Sequence, residues 1–356
     1  MTAVHVVVPD AIDDPARPSG GNAYDRRVCR GLGALGWSVH EWAVAVSWPR
    51  GEPASRAHLS GALSQIPDDS VVMVDGLIAS HVPEVLVPEA GRLRLVVLVH
   101  MPLGHGLPGD EVAAHSQRRE REALSAAVAV VTTSAWTRRW LLDHYALHPH
   151  RVRVAEPGVD AAHLAPGTAA GGELLCVGAV TPGKGHDVLL AALAMVADLP
   201  WRCVCVGSLT CDPAFVDGLA RQARDGDIAG RVHFAGPLTA ADLDAAYAAA
   251  DLLVLASRAE TYGMVVTEGL ARGLPVVATS VGGLPTALGR GADESRPGLL
   301  VCPSDPAAFA GALRCWLTDG ALRQRLRDAA GERRARLPDW EATSLRIARV
   351  LAEVAA

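Results

Sequence analysis

Residues 251–280 read DLLVLASRAETYGMVVTEGLARGLPVVATS. Two short apolar runs, 251–257 and 274–280, have the length and β-branched content of strands. Between them SRAETYG predicts a loop, and MVVTEGLARG predicts a helix ending at Gly273. Strand, helix and strand in that order form the unit of a parallel sheet covered by helices.

The same alternation runs through the whole chain. The first half offers strand runs at VHVVVP (4–9), WSVHEWAV (37–44), VVMVD (71–75), RLVVLVH (94–100), AVAVVTTS (127–134) and RVRVAEP (151–157). The second half repeats the scheme at ELLCVG (173–178), WRCVCVG (201–207), RVHFAG (231–236), 251–257, 274–280 and GLLVCPS (298–304). At 356 residues the chain exceeds one comfortable core, so six runs and six runs predict an α/β protein of two doubly wound, Rossmann-like domains. DAAHLAPGTAAGG (160–172) has the composition of a linker. The expected division is 1–165, 166–335 and a closing helix in 336–356 that returns to the first domain.

Composition narrows the function classes. Half the residues are hydrophobic and 20% are charged, an ordinary globular mixture. No apolar run approaches the roughly 20 residues that span a bilayer. MTAVHVVVPD has neither a basic region nor a cleavage site, so a cytoplasmic location is expected. The net charge of −6 lends no general support to nucleic-acid binding. Seven cysteines without a C-x-x-C pair predict buried free thiols, and no metal-ligand cluster stands out. Between His115 and Arg153 seven arginines face three acids, which suits either a solvated helix face or weak contact with anionic lipid or a phosphorylated acceptor.

Open α/β sheets bind ligands at the carboxyl ends of their strands, and every candidate side chain falls there. Gly263 lets the backbone bring the amides of Tyr262, Gly263, Met264 and Val265 to one point at a helix start, where N–H groups attract oxyanions. Glu260 precedes that point and Glu268 follows it by about a turn and a half. Two acceptors around a ring of donors suit a nucleotide sugar; an acidic helix start with a surface glutamate fits the spacing equally well. In VGAVTPGKGHDVLLAAL (177–193) a strand ends at Gly178, and Lys184 opens a helix where an ammonium can neutralise a diphosphate. Lys184 is the only lysine among 33 basic residues. In PSGGNAYDRRV (18–28), Gly20 and Gly21 permit close approach of the backbone to a phosphate or sugar, without the dinucleotide spacing. His100 ends a strand and can face a crevice; His105 and Asp75 are weaker candidates, and a buried structural histidine explains His100 as well.

Together these stretches resemble the retaining glycosyltransferases of family 4, across nearly the whole chain. SRAETYGMVVTEGLARGLPVVATSVGGLPTAL (257–288) looks like that family's signature of two glutamates separated by seven residues, and 177–193 looks like its donor diphosphate loop. The resemblance implies a GT-B fold, two Rossmann-like domains facing a cleft, with acceptors met by the first and the nucleotide-sugar donor by the second. It implies that Glu268 bonds the ribose hydroxyls, and that Glu260 with the amides of Tyr262 to Val265 holds the sugar and its phosphate. Lys184, beside Gly178, would stabilise the leaving diphosphate, His100 would lie beside the sugar, and Gly20 and Gly21 would lie at the phosphate or acceptor edge. No bound metal and no cofactor beyond the donor is implied; a UDP-sugar is favoured, then a GDP-sugar. One departure stands out: relatives often place an arginine where this chain has Ala179, and Arg258 is the nearest substitute. Two alternatives keep the fold: a nucleotide-sugar 2-epimerase, for which Asp75 is the obvious carboxylate, and a non-catalytic nucleotide-sugar-binding subunit. The acceptor, pathway and oligomeric state are not legible.

Overall fold

In the computed structural model, residues 2–14, 18–44, 53–105, 110–291 and 294–356 are described. The chain divides into two compact units: one built from the first strand, Ser19–Gly158 and Pro338–Ala356, the other from Val159–Leu337. Each holds a six-stranded sheet whose paired strands are parallel. All twelve strands fall on the runs expected from the sequence. The interior strands are mainly apolar because helices cover both faces: Val71–Asp75, Leu252–Leu255 and Val276–Thr279 are buried at every residue, with a polar side chain only at the ends Asp75 and Thr279.

In the first unit the strands are β1 (Ala3–Pro9), β2 (Ser38–Val44), β3 (Val71–Asp75), β4 (Arg94–Val99), β5 (Ala129–Thr132) and β6 (Val152–Val154), in spatial order β2-β1-β3-β4-β5-β6. Alternate side chains of β1 enter separate cores: Val4, Val6 and Val8 pack on one face and Val7 on the other. The first of these faces is covered by helix α1 (Gly20–Ala34) and by the last helix, Trp340–Ala355, which supplies Ile347 and Leu351. Gly31 marks their crossing, since a Cβ there would stand 1.9 Å from Ser344 Oγ.

In the second unit β7 (Glu173–Val177), β8 (Arg202–Val206), β9 (Val232–Gly236), β10 (Leu252–Leu255), β11 (Val276–Thr279) and β12 (Gly298–Val301) take the order β12-β11-β10-β7-β8-β9. The strand order reverses between β7 and β10 here, and between β1 and β3 in the first unit. Such switch points open a crevice at the carboxyl ends of the strands.

Two local expectations differ from the structure. The helix after β10, Met264–Ala271, stops two residues before Gly273. Residues 160–172 form no helix or strand, as a linker should, but they are fastened to the second unit. Buried Asp251 accepts from Thr168 Oγ1 at 2.6 Å and from the Glu173 amide at 3.0 Å, and Arg334 donates to the Ala162 carbonyl at 2.6 Å.

Candidate functional site

The loops after β7 and β10 meet at the second unit's switch point. After β7 the chain passes Gly178, makes a short 3-10 turn at Pro182–Lys184 and enters the helix His186–Ala194. The Lys184 stem lies over Gly178, whose hypothetical Cβ would be 3.7 Å from Lys184 Cδ. The Arg258 amide donates to the Gly183 carbonyl at 2.8 Å, tying the two loops together. Lys184 Nζ and Glu260 Oε2 stand 2.5 Å apart, both partly exposed. Two residues chosen from separate motifs thus converge. A partly exposed ion pair contributes little to stability.

Glu260 is aimed by its own backbone. Its carbonyl accepts from the Gly283 amide at 3.0 Å. Gly282 packs so closely on that carbonyl that a Cβ would sit 1.6 Å from the oxygen, at a positive φ of 53°. We expect Gly282→Ala to destabilise the second unit by at least about 2 kcal/mol, from left-handed strain and displacement of the Glu260 loop. A lowered Tm together with lost nucleotide binding checks this; an unchanged Tm contradicts it.

Helix Met264–Ala271 starts at Gly263, with φ at 96° and no capping side chain. The first amides of a helix have no intrahelical partner and form its positive end. The Tyr262 side chain is buried in the core, so only its backbone is placed for a ligand. Glu268, on the second turn, is half-buried and accepts from Tyr247 OH at 2.8 Å. Arg272 lies 4.4 Å over the Tyr247 ring, donates to the Glu268 carbonyl at 2.9 Å and pairs with Asp244. Burial raises the Glu268 carboxyl above its usual range, against the Tyr247 bond and the Arg272 charge.

Arg258 is not a free second cation. It grips Asp187 through two bonds of 2.8 and 2.6 Å and also donates to the Pro182 carbonyl at 2.7 Å. It braces the Lys184 loop instead. The place of the family's frequent arginine remains Ala179.

In the first unit a second group forms at the other switch point. His100 follows β4; its Nε2 lies 2.8 Å from Asp25 Oδ1 and 3.8 Å from Asp75 Oδ2. Both carboxylates are almost wholly buried. Gly21, in the first turn of α1, touches the ring: a Cβ there would be 3.2 Å from His100 Cδ2. Gly20 opens the same turn. His105 packs its ring on Trp136 at 4.7 Å instead of joining the group.

Asp25 and Tyr247 are absent from the sequence expectations. Asp25 left a readable signal, since it interrupts the buried stripe Tyr24, Val28, Cys29 and Leu32 of α1. Tyr247 left none, because its helix AADLDAAYAA has no amphipathic pattern to mark it. The fold also assembles two sets of ligand-type atoms, each within 4.8 Å: Asp25, Asp75 and His100, and the buried Cys176, His186 and Cys205. Sequence spacing shows neither.

Four of the seven arginines in 115–153 bond within the protein. Arg119 bonds Glu84, Arg138 the Val152 carbonyl, Arg151 the Ser125 carbonyl and Arg153 Glu353. No helix among the described residues is long and apolar enough to cross a membrane. A cavity beside Arg272 and Arg327 opens at the amino ends of β10 and β11.

Residues 171–319 match the family described as Glycosyl transferases group 1. A D-inositol 3-phosphate glycosyltransferase of Kineococcus radiotolerans is 36% identical over 249 residues, 63% of this chain and 57% of that protein. One from Corynebacterium diphtheriae is 32% identical over 271 residues, 70% of this chain and 62% of that protein. The chain thus spans little more than half the length of the curated relatives it matches. Among solved structures, sucrose-phosphate synthase from Thermosynechococcus elongatus superposes with a TM-score of 0.81 at 21% identity, covering 99% of both chains. HepE from Anabaena, in complex with UDP and glucose, superposes with a TM-score of 0.76 at 18% identity, covering 99% of this chain and all of that one. These structures share the fold.

Proposed function

We propose, from the premise that residues 171–319 are a glycosyl transferases group 1 domain on a GT-B fold, that the chain transfers a sugar from a nucleoside diphosphate sugar to an acceptor hydroxyl, retaining anomeric configuration. The observation that carries this reading is the convergence of Lys184 and Glu260 beside the uncapped helix start at Gly263. An ammonium and free amides at one point suit a diphosphate; the adjacent carboxylate suits sugar hydroxyls.

On binding, the diphosphate takes over Lys184 from Glu260, which turns to the sugar. Glu268 accepts from the ribose hydroxyls, with Tyr247 holding its other side. As the bond from C1 to the phosphate oxygen breaks, negative charge grows where Lys184 and the first amides of the helix stand. Stabilising that charge lowers the barrier more than binding the ground state does. The acceptor oxygen bonds C1 from the same face, and its proton passes to the departing phosphate oxygen. His100, Gly20 and Gly21 form the first unit's own candidate group for an acceptor.

UDP is the favoured base, in keeping with the UDP complex of HepE, and GDP is next. The named activity of the relatives makes inositol 3-phosphate the first acceptor to try. An epimerase finds a second carboxylate in Asp25, but both carboxylates are buried against His100. Lys184, the one cation at this point among the described residues, keeps the non-catalytic reading as the alternative.

The test offers UDP- and GDP-hexoses with inositol 3-phosphate and a glycan panel, and follows nucleotide release and the product's anomeric coupling. An α-linked product from an α-configured donor is expected. A β-linked product overturns retention, and donor binding without transfer to any acceptor favours the binding subunit.

A further inference from the structure

Sheet register in the second unit sets two thiols side by side. Cys176 of β7 lies directly opposite Cys205 of β8 in a parallel pair, so both side chains leave the sheet on one face. His186, the first residue of the helix His186–Ala194, reaches the same place: its Nε2 lies 3.7 Å from Cys176 Sγ. One ligand-type atom from each of the three stands within 4.8 Å of the other two. All three residues are buried, His186 and Cys205 at 0% exposure. The imidazole is poorly satisfied there. Its Nδ1 is buried with no partner, and its Nε2 has a sulfur contact, a weak hydrogen bond at best. Burying a polar ring on such terms is costly.

We propose that Cys176, Cys205 and His186 bind a zinc ion at the base of the Lys184 loop. Thiolates and an imidazole nitrogen are the ligands zinc takes, whereas magnesium and calcium take oxygens. At about 2.3 Å from sulfur and about 2.05 Å from nitrogen, a tetrahedral zinc sets its ligand atoms about 3.6–3.8 Å apart. The Cys176–His186 separation already has that value, and Cys205 has about 1 Å at most to close. Two thiolates balance the dication, so the ion and this pair together bring no net charge into the core. Cys203, two residues before Cys205 on β8, faces the same side and is 1% exposed; it offers sulfur for the fourth position.

The site has a structural role. Structural zinc sites are closed, as this buried set is, and their metal contributes folding energy. Cys176 and His186 flank residues 177–185, which carry Gly178 and Lys184. An ion joining them to each other and to β8 fixes both ends of that loop. The zinc site stands without the transferase reading; only the statement that the loop it fixes holds a diphosphate rests on that reading.

The test is elemental analysis of the full chain, made without a metal-affinity tag in medium containing zinc and then dialysed against a weak chelator. The exposed Cys211, Cys302 and Cys315 are replaced by serine beforehand, so that surface thiols hold no metal. About one zinc per chain should remain. Cys176→Ala and Cys205→Ala should each lose it, and stripping the parent with a strong chelator should lower its Tm until zinc is restored. Cobalt added to the stripped protein should give the intense near-ultraviolet band of cobalt bound to thiolate, which Cys176→Ala abolishes. Should the alanine variants fail to fold, the zinc content and cobalt spectrum of the parent still decide. Zinc below about a tenth of an equivalent with no cobalt–thiolate band overturns the proposal, as does full zinc retention in Cys176→Ala. Failure of the transferase reading would leave the zinc content unchanged.

Discussion

Lys184→Ala should lower kcat by about 10²- to 10³-fold, the usual effect of removing one charge-stabilising donor from a transition state, while KM for the donor changes less. The reasoning begins with what surrounds the ammonium. Among the described residues it pairs with Glu260, and the alternative cation, Arg258, is locked onto Asp187. Nothing nearby among the described residues is placed to replace it. Lys184→Arg should not restore the rate. The lysine stem lies along Gly178 in a tight 3-10 turn, and a planar guanidinium differs in shape and hydration from a compact ammonium. Steady-state kinetics on both variants check this. A kcat within threefold of the parent for Lys184→Ala would remove the lysine from the chemistry.

Glu268→Ala should weaken nucleotide binding by about 10- to 100-fold, since a hydrogen bond to a charged group contributes about 1.5–3 kcal/mol. The loss should appear in Kd and KM more than in kcat, because ribose contacts are made equally in ground and transition states. Glu268→Gln should lose less, as the amide oxygen can still accept. Calorimetry with the free nucleoside diphosphate separates this from any effect on the sugar. Because Tyr247 also loses its acceptor, Tyr247→Phe is the companion variant. If it reproduces the whole loss, the Glu268 contact is structural.

Much of the frame was legible because it obeys one rule. Strands covered on both faces are apolar along their length, so 71–74 and 252–255 declare themselves without alternation. Lys184 and Glu260 were legible as the residues that follow such strands, at carboxyl ends where open sheets place their ligands. What they pair with was less so. The grip of Arg258 on Asp187 spans 71 positions and depends on how two loops fold over each other. The linker-like 160–172 carries no mark of its attachment, because the anchor is Asp251, a carboxylate at the start of another strand. Asp25 carries two opposed marks: it falls on the buried stripe of its helix, yet it stands beside arginines in DRRV, which suggests surface; the helix turns it inward to His100.

The central claim is a nucleoside diphosphate seated on Lys184, Glu268 and the helix start at Gly263. Thermal unfolding with UDP, GDP, ADP and dTDP, with and without magnesium, tests it most directly. A ligand at 100 times its Kd adds about 2.7 kcal/mol to the native state. The account predicts a clear rise in Tm with one nucleotide, without added metal, that Glu268→Ala removes. No shift with any of the four, in a protein shown to be folded, would contradict it.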